Sequence, residues 1–258
     1  SQLILDLQDS LPDSYNSWYQ HYSYFKSFLY KLFLPFSEIK NYEKSILDKY
    51  HNILLTTYEA KNRIKKYYGK KFLKKIVILE NYDDFNTKIF IKKKSIKSYI
   101  IYFGSFAPHR GLETIIKSAY LLRKYNFIKF LIIGGAFGHH YTKSLIEKKN
   151  NLKLRNLKIL KWQNKKFLKK YSKKKSVGII PHIKNQHTDS TVPFKLFQYM
   201  DQNMPQLVSN CKPLSRHIKN SKSGLIFRNS SEKDLKLKIL QIINDDKFNK
   251  FIINGKKY

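Results

Sequence analysis

Short runs of β-branched and apolar residues alternate with longer stretches of helical periodicity along the chain, and this alternation limits the fold more than any other feature. The runs fall at residues 3–7, 53–57, 76–79, 99–104, 130–134, 157–162, 177–181, 206–209 and 224–227. Between them lie amphipathic patterns, such as 112–125, where Ile115, Ile116, Ala119 and Leu122 share one helical face. Strands that alternate with helices build a parallel sheet covered on both faces. The expected class is therefore α/β with doubly wound parallel sheets. The stretch 82–97, with Asp83, Asp84, Asn86 and a lysine cluster, breaks the rhythm and reads as a linker. Two domains follow, 1–92 including the linker and 93–258. Only three strands precede the linker, so the first domain is expected to be incomplete, and a chain that starts at Ser1 reads as cut from something longer.

Charge narrows the class less than its size suggests. The net charge of +33 over 258 residues would attract nucleic acid or anionic lipid. Lysine supplies nearly all of it, arginine occurring only at Arg63, Arg110, Arg123, Arg155, Arg216 and Arg228. The lysines are spread over almost every segment instead of forming one tract, which reads as a solvated surface, and no specific nucleic acid is expected. The single cysteine, Cys211, cannot form an internal disulfide, and no Cys/His spacing resembles a metal site. No apolar run is long enough to span a bilayer. A cytoplasmic chain, peripheral at the inner membrane face, is the expectation. The aromatic stretch 15–36, with Tyr19, Tyr22, Tyr24, Phe25, Phe28, Leu29, Tyr30, Leu32 and Phe33 interleaved with Lys26 and Lys31, has two readings. It is either a helix packed on its own domain or an interfacial surface that meets lipid headgroups.

Three junctions carry chemistry. In 100–113 a strand empties through Gly104 and Ser105 into His109-Arg110-Gly111 and a helix start, where backbone amides and the Arg110 fork can approach a phosphate. In 130–140 a second strand ends in Gly134-Gly135-Ala136-Phe137-Gly138, without the acid that would complete a dinucleotide fingerprint. In 189–209, Asp189-Ser190-Thr191 leads to Pro193, expected in the first helical turn, and then to Lys195 and Gln198 on one helical face, with Pro205 before a new strand. Lys195 can neutralise a phosphate and Gln198 can bond hydroxyls. His21, His109, His139, His140, His182 and His187 are expected on the surface, with His109 and His139 drawing notice for their place in the glycine turns.

Taken in order, Phe103-Gly104 through Arg110-Gly111, then Ile133-Gly134-Gly135, then Pro193-x-Lys195-x-x-Gln198-Tyr199-Met200 with Pro205 resemble the C-terminal domain of glycosyltransferase family 4. Leu5-Asp6-Leu7-Gln8-Asp9-Ser10-Leu11-Pro12, Leu54-Leu55-Thr56-Thr57 and Val77-Ile78-Leu79-Glu80-Asn81 look similar to the family's first domain, so the likeness spans nearly the whole chain. The resemblance implies a GT-B fold of two Rossmann-like domains. It implies transfer of a sugar, with retention of configuration, from a nucleoside diphosphate sugar to a glycan or lipid-linked acceptor, without metal or other cofactor. Arg110 and Lys195 match the family's basic residues on the diphosphate, and Gln198 takes the slot of the ribose-binding glutamate. Gly104, Ser105, Gly135, Asp189, Ser190 and Thr191 complete the expected donor-binding set. The sequence departs from the family at Ser105, where an arginine is usual, at Ser190, where the first glutamate is usual, and at Gln198; Asp189 could replace the first acid. Three other functions fit parts of the sequence: a basic protein that binds polyanions or membranes, a transferase that holds donor without turnover, and a sugar-nucleotide epimerase of similar architecture.

Overall fold

The computed structural model describes residues 3–19, 22, 24–82, 88–92, 95, 97–136 and 138–258. It divides into two compact units, Ser1–Asn81 with Lys184–Pro193, and Tyr82–Ile183 with Phe194–Tyr258.

The first unit is built on β1 (Ile4–Leu7), β2 (Asn52–Leu55) and β3 (Ile76–Ile78), parallel and in the order β1-β2-β3. Ile53 and Leu55 alternate along β2 and therefore share a face. With Leu47, Ile64, Phe72 and Ile76 they form the core. Beside it lies a buried ionic cluster that joins the helices Leu11–Tyr19, Phe36–Lys49 and Tyr58–Tyr68. The Arg63 guanidinium forks onto Glu43, Nη1 to Oε2 at 2.8 Å and Nη2 to Oε1 at 3.1 Å, and reaches Asp13 at 3.5 Å. The Tyr68 hydroxyl donates to Glu43 at 2.6 Å, and that of Tyr67 to Asp13 at 2.7 Å. Burial, and then the carboxylates that accept from them, push both tyrosine pKa values above the ordinary range.

The segment Lys184–Pro193 belongs to this unit through specific bonds. The Thr57 hydroxyl caps the helix Tyr58–Tyr68 by accepting from the Ala60 amide at 2.9 Å, and donates to the Ser190 carbonyl at 2.5 Å. The Asn185 amide group reaches the Ser17 hydroxyl at 3.4 Å. Sequence spacing places this segment with its neighbours in the chain; packing places it here.

The aromatic stretch resolves into the helix Leu11–Tyr19 and the helix Tyr24–Phe33, and the second contains no buried residue. Ser27 and Leu29 are half-buried on it, and its other side chains are exposed.

The second unit holds β4 (Ser98–Phe103), β5 (Ile128–Gly135), β6 (Leu157–Lys161), β7 (Ser176–Ile180), β8 (Gln206–Ser209) and β9 (Gly224–Phe227). All pair in parallel, in the order β6-β5-β4-β7-β8-β9. This is the order of a doubly wound α/β domain, and it reverses direction between β4 and β7. The strand ends differ from the expected runs by no more than about two residues, the usual latitude of such boundaries. Ile100 and Tyr102 of β4, Phe130 and Ile132 of β5 and Val177 and Ile179 of β7 face one core with Ile115, Ile116, Ala119 and Leu122 from the predicted helical face. Asp83, Asp84 and Asn86 of the predicted linker lie outside the described residues. Its described part bonds within this unit: the Phe90 amide donates to Asn203 at 3.1 Å and the Lys92 amide to Asn249 at 2.8 Å.

Candidate functional site

In an open α/β sheet, loops part where the strand order reverses, and the crevice at the carboxyl ends of those strands receives the ligand. Here that place is the end of β4 and the end of β7. The chain leaves β4 through Gly104, whose φ is 140°, passes a turn at Pro108–Arg110, and enters the helix Leu112–Leu121 through Gly111 at φ 69°. A Cβ on Gly111 would stand 1.9 Å from the Pro181 carbonyl oxygen, so only glycine lets the two loops meet. The Ile183 amide donates to the His109 carbonyl at 2.9 Å and fixes that contact.

Arg110 is thereby held beside His182, Nη1 lying 3.1 Å from Nε2. A guanidinium has no acceptor, so His182 accepts through Nε2. The His182 carbonyl in turn accepts from the Ser209 hydroxyl at 2.7 Å and the Asn229 amide group at 2.6 Å, which anchor it to the ends of β8 and β9. The buried Arg110 Nε has no hydrogen-bond partner among the described residues.

Lys195 opens the helix Lys195–Asp201 and is buried, with its ammonium 3.9 Å above the centre of the Tyr102 ring. Gly104 makes room for it, since a Cβ there would lie 2.7 Å from Nζ. Among the described residues the ammonium has no hydrogen bond and no ion pair. A desolvated cation–π contact supplies about 2 kcal/mol, whereas a buried charge costs several. Burial, and then the positive charge of Arg110, hold the Lys195 pKa well below its ordinary value. The site is short of negative charge, and an anion would complete it.

Tyr199 shapes the same corner from below. Its hydroxyl accepts from the Phe103 amide at 2.8 Å, and its ring fills the space that Gly178 leaves, a Cβ there meeting the ring at 2.4 Å. The Tyr102 hydroxyl donates to the Ser105 carbonyl at 2.7 Å and so holds the loop over Lys195.

The structure thus brings Gly104, Ser105, Arg110 and Lys195 to one crevice. Gln198 follows Lys195 on the same short helix, partly exposed, its side-chain amide unbonded among the described residues. Pro193 precedes that helix instead of lying in its first turn, because Phe194 takes the cap position. Gly135 serves packing: a Cβ would lie 2.5 Å from the Phe106 ring. Gly134, at φ 130°, lets β5 abut the Gly104 carbonyl, and Phe137 lies outside the described residues. Asp189, Ser190 and Thr191 belong to the first unit. There the Ser190 hydroxyl donates within its own loop, 2.9 Å from the Gln186 carbonyl and 3.0 Å from that of His187, and Thr191 bonds the His187 carbonyl at 3.1 Å.

Three histidines expected on the surface are buried: His109, His182 and His187. Their loops are tied down by hydrogen bonds to the histidine carbonyls: the Ile183 amide to His109, the Ser209 hydroxyl and Asn229 amide group to His182, and the Ser190 and Thr191 hydroxyls to His187. His139 and His140 are exposed, and His139 caps the helix His140–Asn151; His21 lies outside the described residues. Sequence reasoning missed His182, Tyr102 and Tyr199 as parts of the site. The period-two pattern marks Tyr102 only as core, and nothing in the sequence pairs Tyr199 with Gly178.

Gly111→Ala is expected to cost about 2 kcal/mol or more, since a left-handed φ and a backbone carbonyl both oppose the methyl group. Gly138→Ala, with open space around its Cβ position, should change stability by less than about 0.5 kcal/mol. Urea denaturation of the two variants checks the difference.

The model of the family described as glycosyl transferases group 1 matches residues 84–258. No curated protein matches the chain significantly in sequence. Among solved structures, sucrose-phosphate synthase from Thermosynechococcus elongatus superposes with a TM-score of 0.76 at 13% identity, over 98% of this chain and 62% of its own. HepE from Anabaena, in complex with UDP-glucose, gives 0.75 at 12% identity, over 99% of this chain and 66% of its own. WaaG, a glycosyltransferase involved in lipopolysaccharide biosynthesis, gives 0.73 at 12% identity, over 99% of this chain and 70% of its own. The chain thus spans 62–66% of the length of the first two. At such identities the likeness is one of fold: α/β of the GT-B type, with two Rossmann-like parallel-sheet units.

Proposed function

We propose, for a chain that belongs to the glycosyl transferases group 1 family, that its second unit binds a nucleoside diphosphate sugar and that the protein transfers the sugar to a glycan or lipid-linked acceptor. The observation that carries this reading is the buried Lys195 ammonium, without an ionic partner among the described residues, beside Arg110 at the point where the strand order reverses. Two cations and a glycine turn suit a diphosphate better than a carboxylate or a neutral ligand.

The bond to break joins the anomeric carbon to the terminal phosphate oxygen of the donor. Its electron pair stays on the departing diphosphate oxygen, while the acceptor hydroxyl oxygen bonds to the anomeric carbon and passes its proton to that departing oxygen. Charge grows on the diphosphate, so Arg110 and Lys195 stabilise the transition state more than the bound donor. In this reading the two side chains do the work a metal ion does in other transferases, and no cofactor is required. Gln198 bonds the ribose hydroxyls, and Gly104 and Ser105 bring their backbone close to the phosphates. Retention of anomeric configuration is part of the proposal, on the family resemblance of these residues.

Calorimetric titration with UDP, GDP and ADP and their sugar conjugates tests the donor site. One nucleotide is expected to bind, with Arg110→Ala weakening it at least tenfold, the scale of one charge-assisted contact. Proton NMR of the product then reads the anomer. No nucleotide binding, together with steeply salt-dependent binding of a polyanion, would sink the donor reading in favour of the basic surface. A second reading has one observation behind it. The Ser190 hydroxyl, at the family's first glutamate position, is engaged by its own loop, as in a protein that holds donor without turning it over. Binding without product formation over many hours would select it.

A further inference from the structure

We infer that the helix Tyr24–Phe33 is a membrane-docking element that lies in the headgroup layer of an anionic lipid bilayer. At one hundred degrees per residue, Tyr24, Phe25, Phe28, Leu29, Leu32 and Phe33 occupy one half of the helix, and Lys26, Ser27, Tyr30 and Lys31 the other. A surface helix of a folded domain turns its apolar half inward. This one leaves Tyr24 91%, Phe25 70% and Phe33 80% exposed, and Phe28 and Leu32 are exposed as well. Leu34 and Phe36 continue the exposed apolar surface beyond its end.

The charge around the helix chooses the occupant. From Tyr22 to Ser37 the sequence has no acidic residue, while Lys26 and Lys31 flank the apolar half. Lys26 stands over the Tyr22 and Tyr30 rings, 4.7 Å and 5.9 Å from their centres, and those rings stack at 5.3 Å. Aromatic rings at headgroup depth with lysines at the phosphate level describe a helix lying in the plane of a membrane surface. A partner protein would have to match six bulky apolar side chains in shape; lipid tails need no such match. A chain with net charge +33 is drawn toward anionic lipid before any insertion occurs. This inference stands apart from the donor site, which lies in the other unit.

The test uses the whole 258-residue chain in flotation with vesicles of phosphatidylcholine alone and of phosphatidylcholine with about one third phosphatidylglycerol, near physiological salt. Binding to the anionic vesicles is expected, with Phe25→Ser, Phe28→Ser and Phe33→Ser together reducing it at least tenfold. Lys26→Glu with Lys31→Glu should reduce it comparably and leave the weak binding to neutral vesicles unchanged. All five side chains are exposed, so the thermal midpoint should hold, and an unchanged nucleotide titration in the serine variant separates this result from the fate of the donor reading. Failure to float with either vesicle overturns the proposal. So does flotation that the serine variant leaves intact, which would assign it to lysines elsewhere. A concentration-dependent dimer that the serine variant dissociates also overturns it, making the face a contact between two copies.

Discussion

Lys195→Met is expected to stabilise the chain by about 1–3 kcal/mol and, in the same variant, to abolish its response to nucleoside diphosphates. The methylene stem is already buried over Tyr102, so methionine fills the same space without an ammonium to desolvate. A rise in thermal midpoint of roughly 3–8 °C corresponds to that gain. The parent, by contrast, should gain about 2.7 kcal/mol from nucleotide at a hundredfold excess over its dissociation constant. A variant that is both less stable and still responsive would show that Lys195 already has its counter-charge and that the crevice is not the donor site. The pH dependence supports the same test. Lys195 holds its proton less firmly folded than unfolded, so from its lowered pKa up to the ordinary lysine value the unfolded chain binds more protons. Stability therefore rises with pH through that window in the parent and rises less in Lys195→Met. Burial lowers Lys92 to about 8, which adds a slope of the same sign that the variant keeps. Nucleotide affinity is expected to fall over this window, as the ammonium loses its charge.

The largest loss of stability is expected from Glu43→Ala, about 3–5 kcal/mol, because it removes the forked partner of the buried Arg63 guanidinium and leaves it the longer 3.5 Å contact with Asp13. Glu43 also accepts from the Tyr68 hydroxyl and the Leu11 amide, so the substitution strands three donors at once. Glu43→Gln keeps one acceptor oxygen and should cost less. Urea denaturation followed by tyrosine fluorescence measures both. If Glu43→Ala costs under about 1 kcal/mol, water reaches the cluster and the buried network is not what holds the three helices.

The strands of both units were legible because they are short runs of Ile, Leu, Val and Phe set between stretches of helical periodicity, a local signal. Gly104 and Arg110 could be placed for the same reason: a strand, a turn and a helix start follow one another within a dozen residues. What depends on distant parts of the chain was not legible. The buried Lys195 lies against Gly104 and over the Tyr102 ring, positions that lie some ninety residues upstream. His182 looked like one surface histidine among several until β8 and β9 bonded its carbonyl. Asp189, Ser190 and Thr191 sit a few residues before Lys195 in sequence, yet their loop packs with Thr57 and Ser17. Nothing in the sequence separates Glu43 and Arg63 from the other charges, and only the three-helix arrangement buries them.

The assignment of Lys184–Pro193 to the first unit bears on how such a gene can be recombined. A single crossover near Asn81, the obvious junction for exchanging the second unit with a relative, transfers ten residues whose hydrogen-bonding partners remain on the other side. The Thr57 hydroxyl would then meet a foreign loop in place of the Ser190 carbonyl. A functional hybrid needs a patch as well as a splice, with the decapeptide exchanged together with the half that precedes it in the chain.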